Sequence, residues 1–402
     1  MRHRSRPTAR ARRSTSTPSF RRAAGRCRSM PTSKERRMHI STMLRRAACG
    51  AALVLSQGAV LAAAPDPVVM SFATVGDSRA DPATAETAQD KVYLQNTRAL
   101  SRILREIQAA RPKALFFNGD MIMGYTADKA VIGRQYAYWR GMTAGLMESG
   151  TYVVPVTGNH EMQFKDKDAA GKTTKIARLE NEELWRESMG DLILDTARWK
   201  AVTGIEATAF DASNAPPVDG PDGNRTSQSQ LTYSFDAGGS HFAVIDTDPV
   251  GNDGHGPAHW LAEDFRQAKA RGAKRFFVFG HKPAYTYYFK NSVEPDGMDI
   301  YPDNAKAFWK VMEEYGGAYF CGHQHIFNAQ QPMRADGGKA WQVMVGSGGS
   351  PFSAKPGDSR NPHDRVYAWA LVRVHASGKV RIEVYGFDEH YGKTQRLKTI
   401  QF

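Results

Sequence analysis

The segment Gly316–His325 reads Gly-Gly-Ala-Tyr-Phe-Cys-Gly-His-Gln-His, which is typical of a short buried strand that ends at a glycine. Residues i and i+2 of an extended chain project to the same side, so His323 and His325 are predicted to point into one site. Gln324 is then turned away. Neutral imidazoles are common nitrogen ligands of borderline metal ions, and the pair is therefore a candidate part of a metal site.

Four apolar runs upstream also end at a glycine followed by a residue with ligand chemistry. They lie at 68–77, 114–120, 152–161 and 275–281, and end in Gly76-Asp77, Gly119-Asp120, Gly158-Asn159-His160-Glu161 and Gly280-His281. In layered α/β folds, ligands bind at the carboxyl ends of the strands, where glycine allows a sharp turn. The repetition predicts one site to which five strands contribute.

The order of these blocks resembles the calcineurin-like metallophosphoesterase superfamily, which includes the purple acid phosphatases. Its pattern is Asp-x-His, Gly-Asp, Gly-Asn-His-Glu/Asp, a lone His and Gly-His-x-His, and the resemblance extends over about residues 68–386. Gly-Asn-His-Glu and Gly-His-Gln-His in this order are highly specific. The resemblance implies an α/β (α+β) fold, a four-layer αββα sandwich of two mixed β-sheets flanked by helices.

The same resemblance implies two metal ions that share the carboxylate of Asp120. The first ion would take Asp77, Asp120 and His325, and the second would take Asp120, Asn159, His281 and His323. A shell of nitrogen and oxygen without thiolate favours Mn, Fe or Zn. The implied activity is a hydrolase that cleaves phosphate mono- or diesters with metal-activated water, acting on a small phosphorylated substrate.

His160 follows the expected ligand Asn159 and should stand beside the metal ions, near the substrate. Its expected catalytic role is to donate a hydrogen bond to a phosphoryl oxygen or to protonate the leaving group. Asp77, Glu161 or a backbone group could orient the ring.

Arg79 departs from the family pattern, because it lies where the family usually has a metal-binding histidine. Arginine stays protonated and cannot ligate a cation. Two roles stay open: a clamp on a substrate phosphate, or a structural salt bridge to a nearby acid such as Asp81. The departure also leaves an alternative function, a binding protein that retains the fold, has a degraded first metal site and does not turn over substrate.

Met123 lies three residues after Asp120, where the purple acid phosphatases carry an iron-binding tyrosine. Tyr125 is out of phase with that position. The resemblance therefore does not extend to an iron–phenolate centre.

The net charge of +13 over 402 residues would suggest a nucleic-acid partner. Residues 1–64 contain 15 Lys and Arg and a single acid, whereas residues 65–402 contain 39 basic and 40 acidic residues. The positive charge therefore belongs to the leader, and no nucleic-acid partner is expected for the mature domain.

The leader (residues 1–64) combines an Arg-rich start with a predicted export signal at about 43–64. Arg45-Arg46 precedes an Ala-rich apolar run that ends in the small residues Ala62–Ala64, as in bacterial signals of the Sec or twin-arginine type. The run is too short and interrupted for a stable membrane span. The sequence thus predicts a cleaved leader and a periplasmic or secreted protein.

Residues 65–402 are predicted to form a single metallophosphoesterase domain. Helices are expected near 96–110, 128–147, 177–189, 257–270 and 304–315, and a hairpin at 231–236 and 241–246. The connection 162–230 is rich in charged and turn-forming residues and is predicted to be a rim insertion over the site.

Overall fold

The computed structural model describes residues 66–85, 87–126, 128–289, 294–357 and 361–402. The predicted export signal at 43–64 and the Arg-rich residues before it lie outside this range. Ala63–Phe402 makes up one compact unit. Within the described residues, no helix combines the length and the apolar character needed to cross a membrane.

The strands alternate their side chains between separate apolar cores. In β1 (Val68–Val75), Phe72 faces a central core, whereas Ala73 and Val75 face a second core on the other side of the sheet. In β9 (Arg275–Phe279), Phe277 joins the central core and Phe276 faces a third. Successive residues of a strand point to opposite faces of its sheet. The central core therefore lies between two sheets, and each of the other two cores lies on the outer face of one sheet.

Among the described residues, the two sheets consist of six and seven strands, and a separate hairpin has two more. The strands are β1, β2 (Ala114–Asn118), β3 (Tyr152–Val156), β4 (Gln163–Lys167), β5 (Thr173–Ala177), β6 (Ala207–Thr208), β7 (Tyr233–Ala237), β8 (Ser240–Val244), β9, β10 (Ala318–Cys321), β11 (Phe327–Gln330), β12 (Trp341–Val345), β13 (Val366–His375), β14 (Val380–Asp388) and β15 (Gln395–Gln401). The orders are β15-β14-β13-β1-β2-β3 and β11-β12-β10-β9-β8-β7-β6, with β4 paired to β5.

Both sheets are mixed. Strands β1, β2 and β3 are parallel, as are β8, β9, β10 and β12, whereas the flanking strands pair antiparallel. Parallel neighbours place their carboxyl ends at the same edge of a sheet. The ends of β1, β2 and β3 and those of β9 and β10 therefore carry the candidate site.

Helices cover both outer faces. The helices are α1 (Ala88–Tyr93), α2 (Thr97–Ala110), α3 (Lys129–Glu148), α4 (Asn159–Met162), α5 (Leu179–Met189), α6 (Thr196–Thr203), α7 (Ala258–Ala270) and α8 (Pro302–Tyr315). Leu100 of α2 and Trp139 of α3 pack in the core of the first sheet, and Phe265 of α7 and Phe308 of α8 in that of the second. The predicted four-layer αββα sandwich is confirmed.

The sequence did not predict α1, β11 or β15, and it missed several further elements between 162 and 230. The helix expected from 177 begins at Leu179, because residues 173–177 pair with β4 as a strand. Helix α6 was not predicted, and its Trp199 is buried in the central core, with ring centroids 5.3 Å from Tyr152 and 5.0 Å from Phe235. Helix α6 of the 162–230 connection is therefore part of the central core.

Candidate metal centre

The strand ends bring all six expected ligands to one edge of the sandwich. Asp77, Asp120 and Asn159 follow β1, β2 and β3 of the first sheet, and His281, His323 and His325 follow β9 and β10 of the second. Asp77, Asp120 and His323 have positive φ angles of 59°, 50° and 68°. Left-handed backbone at a non-glycine residue costs about 1–3 kcal/mol, and such strain is concentrated at functional sites.

Two glycines allow the loops of the two sheets to approach each other. Gly119 has φ +78°, and a Cβ there would lie 2.6 Å from Nδ1 of His281. A Cβ on Gly322 would collide with Oδ2 of Asp77, whose oxygens instead accept the backbone N–H of His323 at 3.1 Å. The glycine in each motif is therefore required by the contact between the two halves of the site.

We call Asp120, Asn159, His281 and His323 the second group. The Nδ1–H of His281 donates to the carbonyl of Asn118 at 2.8 Å, and burial lowers the pKa of His281 to about 4, so its ring is neutral. Its Nε2 then carries a lone pair. That lone pair faces Oδ1 of Asn159 at 2.9 Å and Oδ1 of Asp120 at 3.2 Å, and both of these atoms are acceptors.

Partners outside the group approach Asn159 and His323. Nδ2 of Asn159 donates to the hydroxyl of Tyr125, which leaves Oδ1 facing the histidines. Nε2 of His323 lies 3.4 Å from Oδ1 of Asp296, and its Nδ1 lies 2.9 Å from Oδ1 of Asn159. Several lone pairs thus converge with no proton between them, which is the environment of a cation. The second group fits a metal ion.

Asp77, Asp120 and His325 form the first group. One potential ligand atom of each lies within 4.8 Å of the others, and all three residues are buried. The carboxyl groups of Asp77 and Asp120 are close together and excluded from water. Burial and the negative charge of Asp120 therefore raise the pKa of Asp77. Arg79 also enters this group, with Nε 3.5 Å from Oδ2 of Asp120.

His160 lies in the short helix α4, directly after Asn159. Its Nδ1–H donates to the carbonyl of Met123 at 2.6 Å, and Nε2 lies 3.6 Å from Oδ2 of Asp120. Of the three groups that could orient the ring, the backbone carbonyl occupies that position. Glu161 contributes differently, because its carboxylate accepts the backbone N–H of Asp120 at 2.8 Å and so holds the turn that presents this ligand.

Three residues at the site were not found from the sequence. The ring of Tyr125 lies 3.8 Å from that of His160, and Nζ of Lys175 lies 3.1 Å from the Tyr125 hydroxyl. Asp296 reaches His323 from a distant loop. The proximity of Tyr125 to Asp120 in sequence was a signal, but nothing in the sequence around Asp296 indicated its partner.

Comparison with known proteins identifies the family of this chain. The profile of the calcineurin-like phosphoesterase family matches residues 70–327, more than half of the chain, and the chain belongs to that family. A comparison with curated proteins gave no match.

Several solved structures are similar at low identity. Purple acid phosphatase PPD1 from yellow lupin (Lupinus luteus) seeds is 12% identical, with a TM-score of 0.52 over 84% of this chain and 54% of that one. A dimetal phosphatase from Danio rerio is 13% identical, with a TM-score of 0.40 over 83% and 99%, and PhoD is 14% identical, with 0.45 over 83% and 73%. The lupin structure shows a shared fold, and this chain spans about half of its length.

Proposed function

We propose that this protein is a metal-dependent phosphoesterase that hydrolyses phosphate mono- or diesters of small molecules. The observation that carries the proposal is the convergence of lone pairs from Asp120, Asn159 and His281 without an intervening proton. Membership of the phosphoesterase family supports it independently. The near-neutral charge of residues 65–402, which we propose to be a single domain, favours a small substrate over a nucleic acid.

The residues at the site would have separate roles in hydrolysis. The second group would hold a cation of the Mn, Fe or Zn type, and when bound this ion would screen the phosphoryl oxygens and lower the pKa of a water molecule. His160 presents Nε2 toward Asp120 and is placed to interact with the substrate. The family resemblance implies two ions, and whether the first group holds one depends on Arg79.

The test is hydrolysis of p-nitrophenyl phosphate and bis(p-nitrophenyl) phosphate by protein depleted of metal with a chelator and reloaded with Mn²⁺, Fe²⁺ or Zn²⁺. We expect turnover only after reloading. Residues that hydrogen-bond to a metal ligand typically contribute about 10–100-fold to metal affinity or activity. We expect His281→Ala, which removes a ligand itself, to reduce both metal affinity and turnover by more than that. His390→Ala, at an exposed histidine, is the matched control and should keep both.

The alternative of a binding protein without turnover is favoured by one observation, the arginine in the first group. Folded protein that binds metal but cleaves neither substrate, nor any member of a panel of nucleotide, sugar and lipid phosphates, would support that alternative and contradict the proposed activity.

We also propose that the protein is exported to the periplasm or secreted. The support is the basic and Ala-rich segment at about 43–64, with its small-residue end at Ala62–Ala64. The mass of the intact protein recovered from the periplasmic fraction would identify the mature N-terminus, and a protein that keeps residues 43–64 would contradict a cleaved signal.

A further inference from the structure

Arg79 lies on a turn whose backbone is held firmly beside the first group. Its backbone N–H donates to the carbonyl of Asp120 at 3.4 Å, and its own carbonyl accepts the hydroxyl of Ser350 at 3.1 Å. Only 14% of its side chain is exposed. The guanidinium is therefore directed into the site by the fold.

The salt bridge of Arg79 differs from the one considered in the sequence. The guanidinium approaches Asp120, whereas Asp81 accepts the backbone N–H of Ala83 at 2.8 Å. The partner of Arg79 is thus the carboxylate that is expected to bridge two metal ions. Because this contact uses Oδ2, it leaves Oδ1 of Asp120 to the second group.

The contact with His325 is more restrictive. Nδ1 of His325 lies 2.5 Å from the carbonyl of Pro351, which can only accept, so the proton is on Nδ1. The guanidinium of Arg79 can only donate, so the Nε2 that it faces carries the lone pair of the ring. Nη2 of Arg79 donates to that Nε2 at 3.3 Å. Nε2 of His325 has one lone pair, and that lone pair already accepts a hydrogen bond from the guanidinium of Arg79.

The first and second groups consequently differ in their local charge, although both consist of metal-ligand residue types. In the second group the acceptors face one another, whereas in the first group a fixed positive charge lies against two of the three residues. A metal ion at the first group would have to displace Arg79 from both Asp120 and His325, and it would also meet a second positive charge at close range.

We propose that the guanidinium of Arg79 takes the place of the first metal ion, so that the protein binds one ion per chain, in the second group. The proposal concerns the number of ions and stands apart from the proposed activity. Asp120 would still be shared by two positive charges, one from the ion and one from Arg79.

Metal stoichiometry tests the proposal. The metal-free protein is titrated calorimetrically with Mn²⁺, and the metal content after desalting is measured by mass spectrometry. We expect one equivalent for the wild-type protein and two for Arg79→His, which introduces the nitrogen ligand that the family usually has. Arg79→Lys keeps the positive charge and should stay at one. Arg365→His, at a partly buried arginine paired with Glu389, controls for the added histidine and should also stay at one.

Electron paramagnetic resonance of the Mn²⁺-loaded proteins gives a readout that does not depend on turnover. The wild-type protein should show the signal of isolated Mn²⁺, and Arg79→His should show that of a coupled pair. Two equivalents or a coupled pair in the wild-type protein would overturn the proposal, even if Arg79→His fails to fold. One equivalent without turnover would instead overturn the proposed function and leave this inference standing.

Discussion

His160 directs only one of its two ring nitrogens toward the cluster of acceptors. The Met123 carbonyl holds the proton on Nδ1, and burial lowers the pKa of the ring, so Nε2 carries a lone pair at neutral pH. In this form Nε2 accepts. It can donate to a phosphoryl oxygen or a leaving group only when the imidazole gains a second proton.

We expect His160→Gln to lower turnover of aryl phosphates by about 10²- to 10⁴-fold, the usual contribution of a positioned acid or base. The bound metal should be unchanged, because His160 lies beside the second group and is not one of its members. Metal content measured together with kcat separates the two effects. His390→Gln makes the same substitution at an exposed histidine and is the matched control; loss of metal from His160→Gln would contradict this role.

At this scale the sequence identified the residues that follow strand ends, because their glycine-bounded spacing is local information. It did not identify Asp296, which meets His323 only through tertiary structure. The contact of Arg79 with His325 also depends on residues 246 positions apart. Composition and spacing predicted which residues gather at the site, but not which atoms face one another.

At the scale of elements, β7, β8 and α7 are joined by a charged cluster around the buried side chain of His241. His241 is fully buried, with Nδ1 2.6 Å from Oδ1 of Asp236 and Nε2 2.7 Å from Oδ2 of Asp264. Arg271 also donates to Asp236, and Ser234 donates to Asp264. Burial alone would lower the pKa of His241, but the hydrogen bonds and charges of the two carboxylates outweigh it and raise the pKa.

A raised pKa in the folded state means that protonated His241 stabilises the fold. This contribution is complete below the unfolded value of about 6.5 and is lost as the pH rises through the higher folded value. We expect the free energy of unfolding, measured in urea at several pH values, to fall as the pH rises above about 6.5 for this reason. His241→Gln should be destabilised by about 3–5 kcal/mol at the lower pH, because the buried carboxylate of Asp264 loses its charged partner.

The exposed His390→Gln variant is the control for this pH dependence and should behave as the wild-type protein. If His241→Gln and the wild-type protein lose the same free energy of unfolding over this pH range, the cluster does not couple protonation to stability. Helices α2, α3, α5, α7 and α8 were predictable from periodicity. The β7–β8 hairpin was predictable from its turn residues, since Gly238 and Gly239 have the positive φ angles of a two-residue turn. The β4–β5 hairpin was not, because its strands are mostly exposed and charged.

For the whole molecule, the order of the five strand-end motifs predicted the architecture, since each motif requires a strand before it. The central core follows from the same strands: Phe72 of the first sheet packs edge-to-face on Phe277 and Phe320 of the second, with centroids 5.1 and 5.5 Å apart. The burial of Trp199 in that core was not predictable, because only tertiary packing shows that part of the 162–230 connection returns to the sheets.

The candidate site also spans both sheets, so that metal binding should stabilise the fold as a whole. Asp120 and Asn159 follow strands of the first sheet, whereas His281 and His323 follow strands of the second, and unfolding separates them. An ion that binds only the folded state contributes about 2.7 kcal/mol at a concentration one hundred times its dissociation constant. We therefore expect the thermal midpoint of the metal-free protein to rise with added Mn²⁺. The rise should be absent in His281→Ala and retained in His390→Ala, and a midpoint insensitive to bound metal in the wild-type protein would contradict an ion held between the two sheets.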